Sequence, residues 1–507
     1  MVKSRMNIKI MVVALLVILA GAFDVSEAMA NNLRLANGDI VSQNASAKSV
    51  TIQFDISWDN SWKDFTNNDA VWVFIKYSSD GGSTWNHATM KVSGTNPSGT
   101  SPGSGTGVEL IVPADKKGCF IQRTSTGSGT VATTSVQLVW DYGYDGVSDS
   151  VVANIGLKIF GIEMVYVSQG SFYAGDNMTS AISLKQGSSD KDPWYIQNEN
   201  AISVTNTASN GFYYVSGDNT GEDPTGSEFI ITTSYPKGYA AFYMMKYEIA
   251  QGQYADFLDT ISQTQASTRY PGESGKNRHT ISGEYPNYRA ARPDRACNYL
   301  SWQDVAAYCD WAAIRPMTEL EFEKAARGKD IFPIGGELVW GTTSIAAAST
   351  LSGAEDGTEI VTTSGANCSF NNVTLSGGDG GRGPLRAGIF AKAATTREQS
   401  GGGYYGAMEL SGNVGERLVT IGNSYGRNFL GTNGDGVLTN NGNATNADWP
   451  GYVSGDGVTQ STGSGLRGGS WNDASAGTMA ISDRTKAAYY GSSRDAYGGG
   501  RGVRSGS

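Results

Sequence analysis

The chain has 507 residues, 67 of them glycine, and a formal charge of −10. That length exceeds one ordinary core and points to two domains, while high glycine with only 17% charged residues favours turns and short elements over helical bundles. The negative balance and the lack of any basic run exclude a phosphate-tracking nucleic-acid binder, which needs clustered Lys and Arg.

The first 30 residues have the pattern of an export signal. Lys3, Arg5 and Lys9 precede the apolar run 11–23, and Ala28-Met29-Ala30 offers a small-residue cleavage site. The run of about 13 residues falls short of the roughly 20 needed to span a bilayer. The expectation is a secreted, cell-surface or periplasmic protein with no stable membrane span after cleavage. Four cysteines, Cys119, Cys297, Cys309 and Cys368, include no CxxC pair. Buried thiols are the default, and a Cys297–Cys309 bridge is left open.

Residues 31–160 read as an all-β, Ig-like sandwich that supports the rest of the chain. Apolar/polar alternation over 49–58, 70–77, 108–112, 134–140 and 151–160 is divided by Gly, Ser, Asn and Asp turns. The stretch 94–107 is a loop too polar to pack. A second domain, 161–507, opens at Glu163-Met164-Val165-Tyr166-Val167, and 176–235 reads as a polar, irregular insertion.

Beyond it, 243–261 predicts a strand running into a helix, with Ala250, Tyr254, Phe257, Leu258 and Ile261 on one face. A second helix starts at the cap Ser301 with Asp304 in its first turn. Thr318 and Glu321 form a capping box for a third, which ends at Gly328.

Arg315-Pro316-Met317-Thr318-Glu319-Leu320-Glu321-Phe322-Glu323, Ser411-Gly412-Asn413-Val414-Gly415-Glu416 and Arg467-Gly468-Gly469-Ser470-Trp471 follow one another in the order and spacing of the formylglycine-generating, sulfatase-modifying family, which the chain resembles. The resemblance implies an irregular, C-type-lectin-like α+β fold for 161–507. It also implies structural calcium, held by hard oxygens. One set carries over to the side chains of Glu409 and Glu416 with the carbonyls of Gly412 and Val414. The other maps to the side chains of Asn367 and Asp379 with the carbonyls of Cys368 and Gly381. Gly415 departs from the family, which has tryptophan there, and Arg417 replaces a further aromatic.

The family's copper-binding thiolates would fall at Asp473 and Thr478, neither of which suits a soft metal. Iron-dependent relatives need a histidine cluster, and this chain has only His87 and His279. No copper or iron is therefore expected, and no catalytic residue is assigned. Ser470 has no histidine base, and Ser-Asp-Arg at 482–484 and Gly-Val-Arg at 502–504 read as an internal ion-pair framework.

Segment 472–498 is rich in Tyr, Ser, Gly, Asn and Asp, the composition of adaptable recognition surfaces. Its place matches the diversified C-terminal segment of the variable proteins of diversity-generating retroelements, which use a similar fold. Trp471, Asp473, Thr478, Tyr489, Tyr490, Asp495 and Tyr497 are the candidate ligand-binding residues. The expectation is a non-catalytic recognition protein for an extracellular protein or glycan. The alternatives are a sulfatase-modifying-type oxidoreductase with atypical ligands, and a structural envelope protein.

Overall fold

The strand Gly156–Val167 organises the molecule. The computed structural model describes residues 24–25, 32–178, 182–187 and 191–505, so segment 1–30, for which export is expected, lies outside the described residues apart from the backbone of Asp24–Val25. Strand accounts for 31% of the chain and helix for 11%, an α+β composition. Among the described residues no helix is long and apolar enough to cross a membrane.

Gly156–Val167 pairs antiparallel with Asp69–Ser78 along ten residues of register, from Gly156 opposite Ser78 to Val165 opposite Asp69. Its other edge takes Phe242–Met245. One sheet thus runs from Arg315–Pro316 through Gly502–Ser505, Phe242–Met245, Gly156–Val167, Asp69–Ser78, Cys119–Arg123 and Val108–Val112 to Gly94–Thr95. The division drawn at 160/161 passes through the middle of this strand, and the two halves of the chain share a sheet.

Strand Asp69–Ser78 is buried along its whole length because both of its faces are covered. Successive side chains of a strand point to opposite faces. Val71, Val73 and Ile75 therefore pack with Ile52, Phe54, Ile56, Val136 and Leu138 of a second sheet, whose order is Arg34–Asn44, Ser49–Lys63, Gly127–Trp140 and Ser104–Gly105. Trp72 and Phe74 face the other way, into a core with Phe160, Tyr254, Phe257, Tyr308 and Trp311.

The predicted strands exist; Val108–Val112 has the expected ends, and the others differ. The segment from 151 begins as a helical turn, Asp149–Val152, before the strand starts at Gly156. Two strands left no alternation to read: Arg34–Asn44 is an exposed, bulged edge, and Cys119–Arg123 is a short, nearly fully buried run. The stretch 94–107 stays largely exposed yet still joins the sheets through Gly94–Thr95 and Ser104–Gly105, because pairing needs only its backbone and the Asn96 amide, whose Oδ1 accepts from Leu110 N–H at 2.9 Å.

The capped helices form as the sequence dictates. Ser301 Oγ accepts from Asp304 N–H at the start of Trp302–Trp311, and Thr318 Oγ1 accepts from Glu321 N–H at the start of Glu319–Arg327. Helix Gln251–Leu258 follows strand Phe242–Met245, and a further helix, Gln263–Arg269, starts at the Ser262 cap. The 176–235 insertion is more ordered than its polarity suggests. It forms a small sheet of Lys185–Gln186, Phe212–Tyr213, Ile202–Thr205 and Phe229–Ile231, and places Trp194, Tyr214, Ile231 and Tyr235 in the main core. All four cysteines are buried free thiols, so the Cys297–Cys309 bridge does not form.

Candidate functional site

The C-terminal half is built around buried charge. Arg467 reaches Glu319 at 2.9 Å and Glu323 at 2.7 Å, and Arg484 reaches Glu319 at 2.8 Å, all without exposure to solvent. Arg315 clasps Glu321 with two bonds of 2.8 and 2.6 Å. Arg504 lies 4.0 Å from the Trp72 ring centroid and pairs with Asp115 of the N-terminal sheets at 2.5 Å. Arg484 and Arg504, the cations of the two C-terminal triplets, are thus framework, as the sequence suggests. Planar guanidiniums suit such pairs because they present paired donors to a carboxylate.

On this frame the turn 409–416 is tightly wound: Glu409, Gly412 and Asn413 have φ of 55°, 86° and 60°. A Cβ at Gly412 would lie 2.5 Å from Cys368 Sγ, so only glycine fits. Gly412 N–H donates to Gly468 O and Trp471 N–H to Asn413 O, each at 2.8 Å, joining this turn to the 467–471 turn.

The carboxylates of this turn sit in the interior. Glu416 accepts from Arg501 Nε at 2.8 Å and Nη2 at 2.6 Å. Glu409 Oε1 accepts from Gly388 N–H at 2.9 Å, while its Oε2 is buried without a partner. Sequence reasoning missed a third acid, Glu248, which accepts from Val414 N–H at 3.0 Å and Asn413 Nδ2 at 2.5 Å. Burial drives Glu409 up to about 7 against the pull of Arg501. Burial, with Glu416 and Glu409 nearby, drives Glu248 well above the usual carboxylate range. Arg501 and Arg386 oppose the rise at Glu409, yet burial still favours the protonated form of these acids. The unpartnered Glu409 Oε2 is what a hard cation at this turn would answer.

The other predicted ligand set is engaged by groups of the protein itself. Asp379 holds Arg292 through two bonds of 2.7 Å and Arg295 at 3.0 Å, and these partners, led by Arg292, depress its pKa. Asn367 Oδ1 accepts from Ala346 N–H at 2.9 Å, and its amide donates to Ser344 O and Glu398 O. The Cys368 and Gly381 carbonyls accept from Ala348 and Leu375. Among the described residues, no group of three or more His, Cys, Asp and Glu is arranged to hold a metal ion, Glu248, Glu409 and Glu416 included.

The predicted ligand-binding residues fall into two places. Asp473, Thr478 and Tyr497 line one cleft together with Gly415, Asp483 and Lys486. Asp473 is engaged there: Ser470 Oγ donates to it at 2.6 Å and Lys486 Nζ at 3.0 Å, while the ammonium also lies 4.9 Å from the Tyr497 ring centroid. The cleft volume is only ≈20 Å³, room for about one water. The second place is the rim 489–495. Tyr489, Tyr490 and Asp495 are half-buried there, with Ser492 and Ser493 exposed beside them. Trp471 is buried, its Nε1–H donating to Ala496 O at 3.1 Å, and acts as a support beneath the surface.

The backbone of this segment is held from outside. Arg417, which replaces an aromatic, is fully buried and donates to Gly491 O at 3.0 Å and Ser493 O at 3.1 Å. Arg494 clasps Asp304 at 2.7 and 2.8 Å. Asn372 N–H donates to Trp471 O, Leu466 N–H to Lys486 O, and Asn298 Nδ2 to Ala496 O. The insertion adds Asn219 Nδ2 to Thr485 O at 3.0 Å.

These features define an α+β domain whose irregular C-terminal loops hang on buried ion pairs. Residues 161–504 match the family model described as the sulfatase-modifying factor enzyme 1-like domain, and the chain belongs to that family. A stretch of 50 residues is 44% identical to the formylglycine-generating enzyme of Bos taurus, covering 9% of this chain and 13% of that protein.

Proposed function

We propose that the chain is an exported, non-catalytic recognition protein. In this reading an Ig-like sandwich carries a C-type-lectin-like domain that binds an extracellular protein or glycan through 471–498. The observation that carries it is the separation of support from surface. The backbone of 472–498 is fixed by Arg417, Asn371, Leu466, Asn298 and Asn219, none of which belongs to the segment, so its outward side chains are free to suit a ligand. Half-exposed tyrosines among small residues supply contact area at low entropic cost.

The oxidoreductase alternative draws on the short match to the bovine enzyme. Asp473 and Thr478 argue against it, because one is tied to Lys486 and Ser470 and neither supplies sulfur.

The reading is tested by exchanging the exposed Asn472, Ser475, Ser492 and Ser493 and the half-buried Tyr489 and Tyr490 together. The melting temperature should change by only about 2 °C or less, since surface substitutions away from special features stay within about 0.5 kcal/mol each, while selection of such variants on a display library should yield binders to new targets. A cooperative loss of fold on exchanging these positions contradicts the reading.

Calcium is proposed at the turn 409–416, where it would neutralise the acids and fix the irregular backbone. At 367–381 the guanidiniums of Arg292 and Arg295 supply the positive charge instead. A ligand of the native state alone stabilises by about 2.7 kcal/mol at one hundred times its Kd. Added calcium should therefore raise the melting temperature by several degrees, chelation should reverse the gain, and Glu409→Gln should abolish it. An identical melt with and without calcium sinks the proposal.

A further inference from the structure

Beside the C-terminal surface lies a groove of ≈480 Å³ lined by Tyr425, Leu430, Trp449, Pro450 and Tyr452. Tyr425 and Leu430 are 61% and 54% exposed. Large apolar side chains left in water around a pocket mark interaction sites.

The insertion links this groove to the segment proposed above to recognise a ligand. Asn219 Nδ2 donates to Thr485 O at 3.0 Å, and a Cβ at Gly221 would lie 3.3 Å from the Tyr490 ring. Gly221 O accepts from Asn423 Nδ2 at 2.7 Å, and Asn423 Oδ1 accepts from Tyr425 N–H at 2.8 Å. Tyr490, Gly221 and Tyr425 thus follow one another along a path from the rim to the groove.

The chemistry of the groove favours an apolar side chain over a sugar. The polar groups of its floor are spent on its own loops. Asp448 accepts from Leu430 N–H at 3.0 Å, from Thr432 N–H at 3.3 Å and from the Thr432 hydroxyl. Trp449 Nε1–H donates to Thr432 O at 3.0 Å, and Gly451 O accepts from the Thr459 and Gln460 N–H groups. Sugar hydroxyls would give up water there for few new partners, whereas an apolar anchor gives up none.

The charge along the path has one sign. Residues 428–466, which form most of the groove, hold Asp435, Asp448 and Asp456 and no Lys or Arg. The linking stretch 217–228 holds Asp218, Glu222, Asp223 and Glu228 and again no cation. Glu222 turns inward to Arg484 at 4.0 Å and Asp223 holds Arg427 at 2.6 Å. Asp218 and Glu228 are exposed and enter no ion pair among the described residues. The cations of 472–498 are all committed: Arg484 to Glu319, Lys486 to Asp473 and Arg494 to Asp304. Asp483 is left without a counter-ion among the described residues. A negative path selects a positive partner.

We propose that this path receives a basic segment of a protein partner, whose cations lie along Asp483, Asp218 and Glu228 while one apolar side chain fills the groove. The inference rests on the recognition reading and narrows its ligand to a cationic protein.

The test titrates short labelled peptides with the full-length protein and reads binding by fluorescence anisotropy. One peptide alternates Lys with Leu, a second Glu with Leu and a third Lys with Ser. The Lys/Leu peptide should bind saturably, about tenfold or more tighter than either of the others, and should lose affinity as salt rises. Tyr425→Ala with Leu430→Ala should weaken it about tenfold, as should Asp218→Asn with Glu228→Gln. Melting temperatures should hold, because these side chains are exposed. Removing exposed acids elsewhere, Glu284→Gln with Asp356→Asn, should leave the affinity intact. Equal binding of the three peptides overturns the proposal, as does a loss in the control variant that matches the loss in the path variants. If the exchanged 472–498 library yields binders while the Lys/Leu peptide does not bind, this inference fails alone; if neither binds, the recognition reading falls with it.

Discussion

Replacing Arg501 by leucine is expected to cost about 3–5 kcal/mol of stability, the range seen when one partner of a buried ion pair is removed. Arg501 is fully buried and bonds both oxygens of Glu416, while its other nitrogens donate to Met245 O at 3.0 Å and Met408 O at 2.6 Å. Leucine removes the counter-ion that holds down the Glu416 pKa, so this buried carboxyl must either stay charged unpaired or take up a proton, and the two carbonyls are left unmet. Urea denaturation measures the loss. Adding Glu416→Gln should restore part of the deficit, because the amide removes the stranded charge. If both variants fall equally, carbonyl contacts and not the ion pair dominate.

The second large effect is expected at the junction of the two halves. Trp72 is fully buried, donates through Nε1 to Ala312 O at 2.9 Å, and stacks beneath Arg504. Trp72→Ala should cost about 3–5 kcal/mol through lost burial and the cavity left behind. The shared strand pairing predicts a single unfolding transition for the wild type. The variant, with its joint weakened, should melt at lower temperature and split into two transitions by calorimetry. An unchanged single transition would mean that the sheet pairing alone couples the halves.

Capped helices and the ion-pair triplets were legible in the sequence because their signals are local. Ser301 with Asp304 and Thr318 with Glu321 state their helix starts within four residues, and both caps form. The candidate site was legible only in part. The turn 409–416 reads from its Gly-Asn pair, but Glu248 lies 165 residues from its partner Asn413, and an acid at the end of an apolar strand was the only hint. Lys486, the lone lysine in 472–498, was a visible signal that went unused; it occupies Asp473 and narrows the cleft. Trp471 reads as a contact residue from its position, yet burial makes it a support.

The central claim is that this member of a sulfatase-modifying family recognises a ligand and does not oxidise one. The most direct measurement incubates the copper-treated full-length protein with a cysteine-containing sulfatase peptide under air and follows the peptide by mass spectrometry. The account predicts that the cysteine persists and no aldehyde is formed. Conversion of that cysteine to formylglycine with consumption of dioxygen would contradict it.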